Sequence, residues 1–416
     1  MVPTTSDPLQ QPTVTLDDVL AAREVLAKVL TPTPMEFSQG ISERTGVPIH
    51  LKCENLQRAG SFKMRGAYTR MARLNEEEKA RGVVAASAGN HAQGVALAAR
   101  LLGIEATVYM PQGAAMPKLA ATRGYGAEVI QVGLTIDDCI GRAREHEEQT
   151  GAVFIPPFDH EDIVAGQGTC GLEILEQVPD VRTILVCTGG GGLLAGIATA
   201  VKAVRPEVKV IGVQAAEAAA WPGSLAAGHP VPLASMSTMA DGIAVGRPGD
   251  VPFGVVADLV DGIETVSEES IARGVLYLLE RAKLAVEPAG AAAVAHLMDL
   301  GEEVAERYEG PVVAVLSGGN IDPLLLLRII RTGLTVAGRF LQLRVRVPDR
   351  PGELAAVLAL LAELRCNVLE VQHHRRVPGL TVSEVAISLT LETSGHEHSA
   401  AVLAALEDRG WVVDQG

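Results

Sequence analysis

The sequence predicts an α/β fold built on open parallel sheets, followed by a ferredoxin-like βαββαβ unit. Short apolar runs alternate with amphipathic helical patterns over most of the 416 residues, and strict apolar–polar alternation begins at Phe340–Val347. Strands with near-continuous apolar character, separated by helices, are typical of a parallel sheet that is buried on both faces. Strict alternation indicates instead an antiparallel strand with one exposed face.

The predicted elements of the first part follow from this pattern. A helix is predicted at Asp17–Leu30, because Pro32 and Pro34 interrupt the periodicity that precedes them. Six buried strands are predicted at Val83–Ser87, Ala106–Met110, Glu128–Val132, Thr183–Cys187, Val208–Val213 and Pro311–Ser317. The amphipathic helices between them include Asn90–Leu102, Thr135–Gln149 and Leu193–Val204.

The second part has the element order βαββαβ. After the strand at Phe340–Val347, the predicted elements are a helix around Leu354–Leu361, a strand at Asn367–Arg375, a strand at Val385–Leu391, a helix near Ser399–Leu406 and a short strand at Trp411–Val413. The stretch Thr332–Gly338 is the predicted boundary, which divides the chain into residues 1–335 and 336–416.

The composition excludes several classes of function. The formal net charge is −15, so the excess of Lys and Arg that binds nucleic-acid phosphates is missing. Neither a secretory signal nor a charge-free apolar stretch long enough to span a membrane is visible. The odd number of cysteines, with no Cys-x-x-Cys pair, indicates reduced thiols and a cytoplasmic protein. The cysteines are Cys53, Cys139, Cys170, Cys187 and Cys366.

A glycine-rich turn joins a predicted strand to a predicted helix in "CTGGGGLLAG", Cys187–Gly196. Four consecutive glycines allow a ligand to approach the backbone, and the N–H groups at the start of a helix favour an anion such as phosphate. Gly190, Gly192 and Ala195 also fit a dinucleotide fingerprint, but Gln214 stands where the acidic residue of that fingerprint is expected. The turn therefore predicts a phosphate site, and a purely structural turn is the alternative.

Two further polar turns end predicted strands, "SAGNHAQG" at Ser87–Gly94 and "SGGN" at Ser317–Asn320. Taken alone, each could be no more than a helix cap. Lys63 lies between the apolar residues Phe62 and Met64, where a surface lysine is the ordinary interpretation. Together, a phosphate site, a lysine able to form a Schiff base and a polar group for a ring nitrogen point to pyridoxal phosphate.

The motifs "SFKMRGA", "SAGNHAQGVALAA", "GQGTCGLEI", "TGGGGLLAG", "TMADGIAV", "EPAGAAA" and "SGGN" resemble the threonine dehydratase (threonine ammonia-lyase) branch of the fold-type II pyridoxal phosphate enzymes. The resemblance runs from about Thr31 to Arg331. It implies a tryptophan synthase β-like fold, in which a small subdomain at roughly 60–155 is inserted into a large one. "DRPGEL", Asp349–Leu354, resembles an ACT domain, a module that senses small molecules.

The resemblance also implies roles for individual residues. Lys63 would form a Schiff base with the cofactor, Asn90 would hydrogen-bond its ring hydroxyl, and Ser317 would meet its ring nitrogen. The residues implied to hold the cofactor are Phe62, Lys63, Asn90, Gly189, Gly190, Gly191, Gly192, Leu193, Glu287 and Ser317. Those implied to hold the substrate are Ser87, Asn90, His91, Asp241 and Gly242, and those implied to bind a regulatory ligand are Gly352 and Asn367.

The reaction implied by the resemblance is the conversion of L-threonine to 2-oxobutanoate and ammonia, with L-serine as a second substrate. Lys63 would take the Cα proton as a general base. A serine hydroxyl at the ring nitrogen stabilises a pyridinium less than a carboxylate does, which favours loss of the β-hydroxyl. The resemblance also implies a place in isoleucine biosynthesis or threonine catabolism, isoleucine or valine as effector, and a homodimer or homotetramer.

Two other functions are compatible with parts of the sequence. Serine racemase resembles the chain in most motifs, but it carries a second serine where Ala88 stands here, and that serine acts as a base on the opposite face of Cα. The carboxylates of a racemase-like metal site are replaced by Gln214 and Ala220, so no metal is predicted, although Glu217 remains. An amino-acid sensor with an inactive catalytic scaffold is the third possibility.

Overall fold

The computed structural model describes residues 14–336, 338–375 and 380–415. These residues form two compact units, the first ending at Asp322 and the second beginning at Pro323. This division differs from the predicted boundary at residues 335–336 by one helix, Pro323–Val336, which lies with the second unit. Within the described ranges, no helix is both long and apolar enough to cross a membrane.

Fourteen β-strands in the described residues form three sheets. The strands are β1 (Met35–Phe37), β2 (Ile49–Lys52), β3 (Val83–Ala86), β4 (Ala106–Met110), β5 (Glu128–Gln131), β6 (Val153–Phe154), β7 (Thr183–Cys187), β8 (Lys209–Ala215), β9 (Gly262–Val266), β10 (Val312–Val315), β11 (Phe340–Pro348), β12 (Asn367–His374), β13 (Glu384–Glu392) and β14 (Val412–Gln415). The six strands predicted for the first part are present as β3, β4, β5, β7, β8 and β10.

Seventeen α-helices in the same residues connect or flank these strands. They are α1 (Leu16–Leu26), α2 (Gln39–Thr45), α3 (Lys63–Ala72), α4 (Glu76–Arg81), α5 (Asn90–Leu102), α6 (Met116–Gly124), α7 (Ile136–Thr150), α8 (Glu161–Gln177), α9 (Gly192–Val204), α10 (Ala220–Ala227), α11 (Asp250–Leu259), α12 (Glu268–Tyr277), α13 (Pro288–Leu300), α14 (Val304–Arg307), α15 (Pro323–Val336), α16 (Glu353–Glu363) and α17 (His396–Asp408). The first helix ends at Leu26, earlier than predicted, and residues 27–29 form a turn.

The first unit contains two sheets, which belong to a large and a small subdomain. The large sheet has the order β1-β2-β10-β7-β8-β9, and all its pairs are parallel except β1 with β2. The small sheet has the order β5-β4-β3-β6 and is wholly parallel. Ligands bind beyond the carboxyl ends of the strands in such sheets, so the turns after β3, β7 and β10 are the places to inspect.

Glycines bring α8 and α9 close together in the large subdomain. A Cβ atom on Gly168 would lie 2.8 Å from the carbonyl oxygen of Gly196, and one on Gly171 would lie 3.1 Å from that of Ile197. A Cβ atom on Gly196 would collide with the carbonyl oxygen of Val164. The glycines of "GQGTCG" therefore serve packing, and they fix the helix that begins at the glycine-rich turn.

The second unit is a four-stranded antiparallel sheet, in the order β12-β13-β11-β14, with α16 and α17 in the predicted βαββαβ sequence. Alternate residues of β11 enter its core, where Leu343, Val345 and Val347 pack with Val357 of α16 and Val402 of α17. The alternation that predicted β11 therefore reflects one buried and one more exposed face of this sheet.

Four charged side chains form a cluster that is buried beside the start of α3. The Arg65 guanidinium lies 2.8 Å from the Glu54 carboxylate and 2.6 Å from that of Glu173, which is also 2.6 Å from the Lys52 ammonium. Burial alone would raise the pKa of Glu54, but the charge and hydrogen bonds of Arg65, together with Lys52 and Thr33, outweigh it, and the pKa lies below its usual value. Two cations face two carboxylates, so the cluster, here called the α3 charge cluster, is balanced.

Breaking the α3 charge cluster should destabilise the first unit. Arg65→Met would leave two carboxylates buried without their main partner, which costs about 3–5 kcal/mol of unfolding free energy. We expect this loss in urea denaturation followed by the fluorescence of Trp221, in a Trp411→Phe background that leaves Trp221 as the only tryptophan. Arg23→Met is the control, because its pair with Glu176 is exposed and should contribute no more than about 1 kcal/mol. Equal losses in the two variants would contradict the expectation.

Candidate active site

Lys63 is held at the point where α3 meets the end of β10. The backbone N–H of Phe62, which precedes the lysine, donates to the carbonyl oxygen of Ser317 over 3.1 Å, and Ser61 forms an isolated β-bridge with Gly318. The Lys63 Nζ atom donates to the carbonyl oxygen of Pro157 over 2.9 Å. The start of α3 is thus anchored to the turn after β10, and the amine of Lys63 donates to a backbone carbonyl.

The surroundings of Lys63 favour its neutral form. Desolvation by the enclosing protein atoms lowers the pKa of Lys63 to about 8, and the nearby Glu287 carboxylate only partly opposes this shift. The Nζ atom also lies 5.1 Å from the centre of the Phe62 ring. An amine with this pKa is largely neutral just above pH 8, so it can attack an aldehyde or accept a proton near physiological pH.

The glycine-rich turn after β7 is enclosed by aromatic rings. The indole Nε1 of Trp221 donates to the carbonyl oxygen of Gly189 over 2.7 Å. A Cβ atom on Gly190 would lie 2.5 Å from the ring of Phe158, and Gly191 has a φ of 99°, a conformation that side chains disfavour. Close neighbours and backbone conformation therefore both require glycine here.

The same turn leaves the start of α9 open to a ligand. The helix begins at Gly192, its second residue is the buried Leu193, and no side chain caps it. The first N–H groups of any helix lack partners within the helix, and their partial positive charge attracts anions. These backbone groups fit a phosphate, as the sequence predicted.

Asn90 joins the turn after β3 to the turn after β10. Its Nδ2 donates to Glu287 Oε1 over 2.6 Å, and its Oδ1 accepts from Asn320 over 2.9 Å. Gly318 passes so close that a Cβ atom there would collide with the Glu287 carboxylate. The structure thus brings together Asn90, Glu287 and the residues that follow Ser317.

Glu287 is a buried acid with one unused oxygen. Its Oε2 has no hydrogen-bond partner, although only 2% of the residue is exposed. Burial raises the pKa of Glu287 to about 7, and the Asp241 carboxylate adds to the shift against the opposing charge of Lys118. An unpartnered polar atom at this depth is costly unless a ligand or water supplies a partner, so Oε2 of Glu287 is a candidate contact for a bound ligand.

Ser317 and Cys187 lie together at the ends of β10 and β7. Ser317 is 3% exposed, and its hydroxyl lies beside the Cys187 thiol. Burial raises the pKa of Cys187 to about 11, so this sulfur stays a neutral thiol. The sequence suggested no role for Cys187, although its place directly before the glycine-rich turn was the available signal.

The residues predicted to bind the substrate lie in two places, the turn after β3 and the short turn Asp241–Ile243. Ser87 Oγ accepts from the N–H of Gly89 over 3.1 Å, so it shapes the turn after β3. His91 is buried, with its Nε2 2.8 Å from the carbonyl oxygen of Ile155. Burial, together with the charge of Lys63, lowers the pKa of His91 to about 3, so the ring is neutral and donates to that carbonyl. The imidazole of His91 is therefore engaged away from the turn.

Asp241 and Gly242 lie in a short 3-10 turn, Asp241–Ile243. A Cβ atom on Gly242 would lie 3.4 Å from Glu287 Oε1, so the turn lies against the Glu287 carboxylate. The Asp241 carboxylate accepts a hydrogen bond from Lys118 of α6. Lys118 was missed by the sequence analysis, because nothing in "MPKLAAT" distinguishes it from a surface lysine.

These residues fit pyridoxal phosphate. The amine of Lys63 suits an aldehyde, the open start of α9 suits a phosphate, and the neutral Ser317 suits a ring nitrogen. The unused oxygen of Glu287 lies among them. Separately, no group of three or more His, Cys, Asp or Glu residues able to hold a metal ion occurs in the described part of the chain.

The second unit contains a separate cavity of about 260 Å³. Gly352 lines it, together with apolar and charged side chains that include Leu354, Asp349 and Arg375. Asn367 is not among the lining residues; its side-chain amide donates to Glu392 over 3.2 Å. The structure therefore brings Gly352, but not Asn367, to this cavity.

Comparison with known proteins gives family matches for both units. Residues 26–318 match the model of the family described as pyridoxal-phosphate dependent enzyme, and residues 341–410 match the ACT domain. The chain is 45% identical to the L-threonine ammonia-lyase of Thermotoga maritima over 400 residues, which are 96% of this chain and 99% of the relative.

Solved structures with significant similarity cover the first unit. A threonine deaminase from T.th. aligns with a TM-score of 0.70 and 41% identity, over 74% of this chain and 99% of its own. The maize serine racemase aligns with a TM-score of 0.73 and 35% identity, over 78% of this chain and 99% of its own.

The lowered pKa of Lys63 predicts how cofactor attachment depends on pH. Only the neutral amine attacks an aldehyde, so the rate at which apoprotein and pyridoxal phosphate develop the Schiff-base absorbance should rise with pH and reach half its maximum near pH 8. An ordinary lysine would reach it near pH 10.4. The same titration with N-acetyl-lysine corrects for ionisation of the cofactor itself.

A companion variant tests the cause of that pKa. The negative charge of Glu287 raises the pKa of Lys63, so Glu287→Gln should move the midpoint to lower pH. A rate that keeps rising to pH 10 in the unmodified protein would contradict the assignment of Lys63.

Proposed function

Because this chain belongs to the family of pyridoxal-phosphate-dependent threonine ammonia-lyases, we propose that it converts L-threonine to 2-oxobutanoate and ammonia. The fold class and the cofactor predicted from the sequence are confirmed by this membership. The observation that carries the proposed reaction is the Lys63 amine, whose pKa is lowered by desolvation, at the junction of three polar turns. L-Serine is the second proposed substrate, since it differs by one methyl group and carries the same reacting groups.

The residues proposed to hold the cofactor are those around Lys63 in the first unit. Lys63 supplies the amine for covalent attachment, and Phe62 packs against the ring. Asn90 would hydrogen-bond the ring hydroxyl, Glu287 would lie near the ring, the backbone of residues 189–193 would hold the phosphate, and Ser317 would meet the ring nitrogen. When bound, pyridoxal phosphate supplies an aldehyde that captures amines and a ring that withdraws electrons from Cα.

Lys63 is proposed as the general base that takes the Cα proton. Its pKa of about 8 lies close to working pH, where a base is both available and strong enough. The carbonyl oxygen of Pro157 accepts from its Nζ and orients it. Ser317 offers a neutral hydroxyl, which hydrogen-bonds a ring nitrogen without fixing a positive charge on it, so loss of the β-hydroxyl is the preferred course.

Substrate binding is proposed at the turn after β3. The backbone and side chains of Ser87 and Asn90, with the backbone of His91, face the substrate carboxylate. Asp241 and Gly242 border the space for the β-substituent. A methyl group is worth only about 1–3 kcal/mol in an apolar pocket, so threonine and serine should both be accepted.

Serine racemase is the second candidate, favoured by the similarity to the maize enzyme. Racemisation needs a second base on the far side of Cα, and the turn after β3 offers Ala88 between Ser87 and Gly89. A methyl side chain cannot carry a proton. Elimination with a single base is therefore the better supported function.

Lys63→Ala should abolish the proposed reaction. Loss of the attachment point and of the general base should reduce 2-oxobutanoate formation from L-threonine by about 1000-fold or more, with partial rescue by added methylamine. Tyr68→Phe, a change on the same helix α3, is the control and should keep the rate.

The outcomes of this experiment separate the candidates. Unchanged turnover in Lys63→Ala would refute the proposed base. D-serine formation from L-serine by the unaltered protein, without oxo acid, would favour a racemase. Absence of the Schiff-base absorbance would favour a sensor with an inactive scaffold.

Regulation is proposed to reside in the second unit, at the cavity that Gly352 lines. Apolar Val347, Leu354 and Val385 line one part of it, and the Arg375 guanidinium lies 3.2 Å from the Asp349 carboxylate at its edge. Arg350, Glu353 and His373 also line the cavity, so groups of both charges stand beside an apolar wall, a lining that suits a small zwitterion with a branched aliphatic side chain. We therefore infer isoleucine as the first effector to test and valine as the second.

Neutralising one charge of this cavity should remove the response without removing catalysis. Isoleucine should shift the rate of the unaltered protein, and Arg375→Met should weaken that response by about tenfold or more in effector concentration. Arg344→Met, an exposed arginine of the same sheet that does not line the cavity, is the matched control. An unchanged response in Arg375→Met would refute this site.

We also propose a cellular setting and an assembly state for the protein. All five cysteines are free thiols, which supports a reducing compartment such as the cytoplasm. A homodimer or homotetramer is the proposed state, and sedimentation of the purified protein tests it. Isoleucine biosynthesis and threonine catabolism remain the two proposed settings for the reaction.

A further inference from the structure

Lys118 and Asp241 form an ion pair between the two subdomains of the first unit. Lys118 is on α6, beside the small parallel sheet, and its ammonium donates to the carboxylate that begins the turn Asp241–Ile243. The two partners differ in exposure: the Lys118 side chain is 8% exposed and that of Asp241 is 57% exposed. Burying a lysine is costly unless a partner compensates, so Asp241 stabilises Lys118 where it lies.

The turn Asp241–Ile243 touches two parts of the candidate active site. On one side, a Cβ atom on Gly189 would lie 3.0 Å from the Cα of Ile243. On the other, a Cβ atom on Gly242 would lie 2.9 Å from the Cβ of Ala289 and 3.4 Å from Glu287 Oε1. The turn therefore lies against both the glycine-rich turn and the buried acid, and its position decides how closely these surfaces are covered.

Lys118 itself faces the turn that is proposed to bind the substrate carboxylate. Its Nζ lies 3.8 Å from where a Cβ atom on Gly89 would be. The charges that act around it are Asp241, its direct partner, and Glu287, whose pKa is raised mainly by burial and then by Asp241, while Lys118 lowers it. The pair thus links the turn after β3 on the small subdomain to the turn Asp241–Ile243 on the large one.

We propose that Lys118 is a positioning residue, which holds the turn Asp241–Ile243 against the active site by pairing with Asp241. The Asp241 carboxylate faces water, but its departure would leave the buried Lys118 ammonium without a partner, so the pair favours the arrangement in which the turn lies against the active site. Lys118 is enclosed by its own subdomain and stays beside the turn after β3. Formation of the pair covers the substrate, so the pair controls how firmly substrate is retained. The inference rests on the proposed function for its kinetic readout only.

The experiment is a double-mutant cycle on the full-length enzyme with Lys118→Met and Asp241→Asn. Each single change should raise the KM for L-threonine by about tenfold and change kcat much less. The double variant should raise KM no further than either single change, since both remove the same interaction. Lys118→Arg, which keeps the cation, should restore most of the affinity, and Lys79→Met, which breaks a surface pair with Glu76 on α4, is the matched control.

A second readout is independent of the reaction. Hydrogen exchange of the apoprotein, followed by mass spectrometry, should quicken in the peptide that contains residues 241–243 in both single variants and stay unchanged in Lys79→Met. The proposal would be overturned if the KM increases of the two single variants multiplied in the double variant. Unchanged hydrogen exchange of residues 241–243 in the single variants would also overturn it. If Lys118→Met does not fold, Asp241→Asn alone must still quicken exchange, because Asp241 is largely exposed. Quickened exchange in a protein inactive on threonine would refute the proposed function and leave the positioning role standing.

Discussion

The position of the active-site lysine depends on the α3 charge cluster. Arg65 lies two residues after Lys63 on α3. Its contacts connect that helix to Glu54, which precedes α3 in the chain, and to Glu173 of α8. The hydrogen bond from Phe62 to Ser317 then fixes the start of the helix to the end of β10. The lysine therefore has its place set by interactions from both directions before any ligand binds.

The same exclusion of water that makes these charge contacts strong also sets the protonation of the active site. Desolvation lowers the pKa of Lys63 and of His91, and it raises the pKa of Glu287 and of Cys187. All four shifts favour the neutral form. The site therefore holds these four groups closer to their neutral forms than water would.

Much of this arrangement could be predicted from the sequence, because the relevant signals are local. Apolar runs located β3, β4, β5, β7, β8 and β10, and the turn motifs pointed to Lys63, Asn90 and the glycine-rich turn. The signals failed where a partner lies far along the chain. Strand β2 contains Lys52, and a lysine in a strand predicts an exposed position. Its partner Glu173, which allows Lys52 to be buried, lies 121 residues further along the chain. Lys118 likewise meets Asp241 across 123 residues.

The close contact between α8 and α9 has a consequence for how the chain can vary over time. Alanine, the smallest replacement, would place a methyl group inside the backbone of the opposite helix at Gly168 or Gly196. Overpacking of this kind costs about 1–3 kcal/mol, a large part of the margin by which proteins stay folded. Selection on folding alone would thus remove such replacements, and invariance of these two glycines among homologues would carry no information about catalysis.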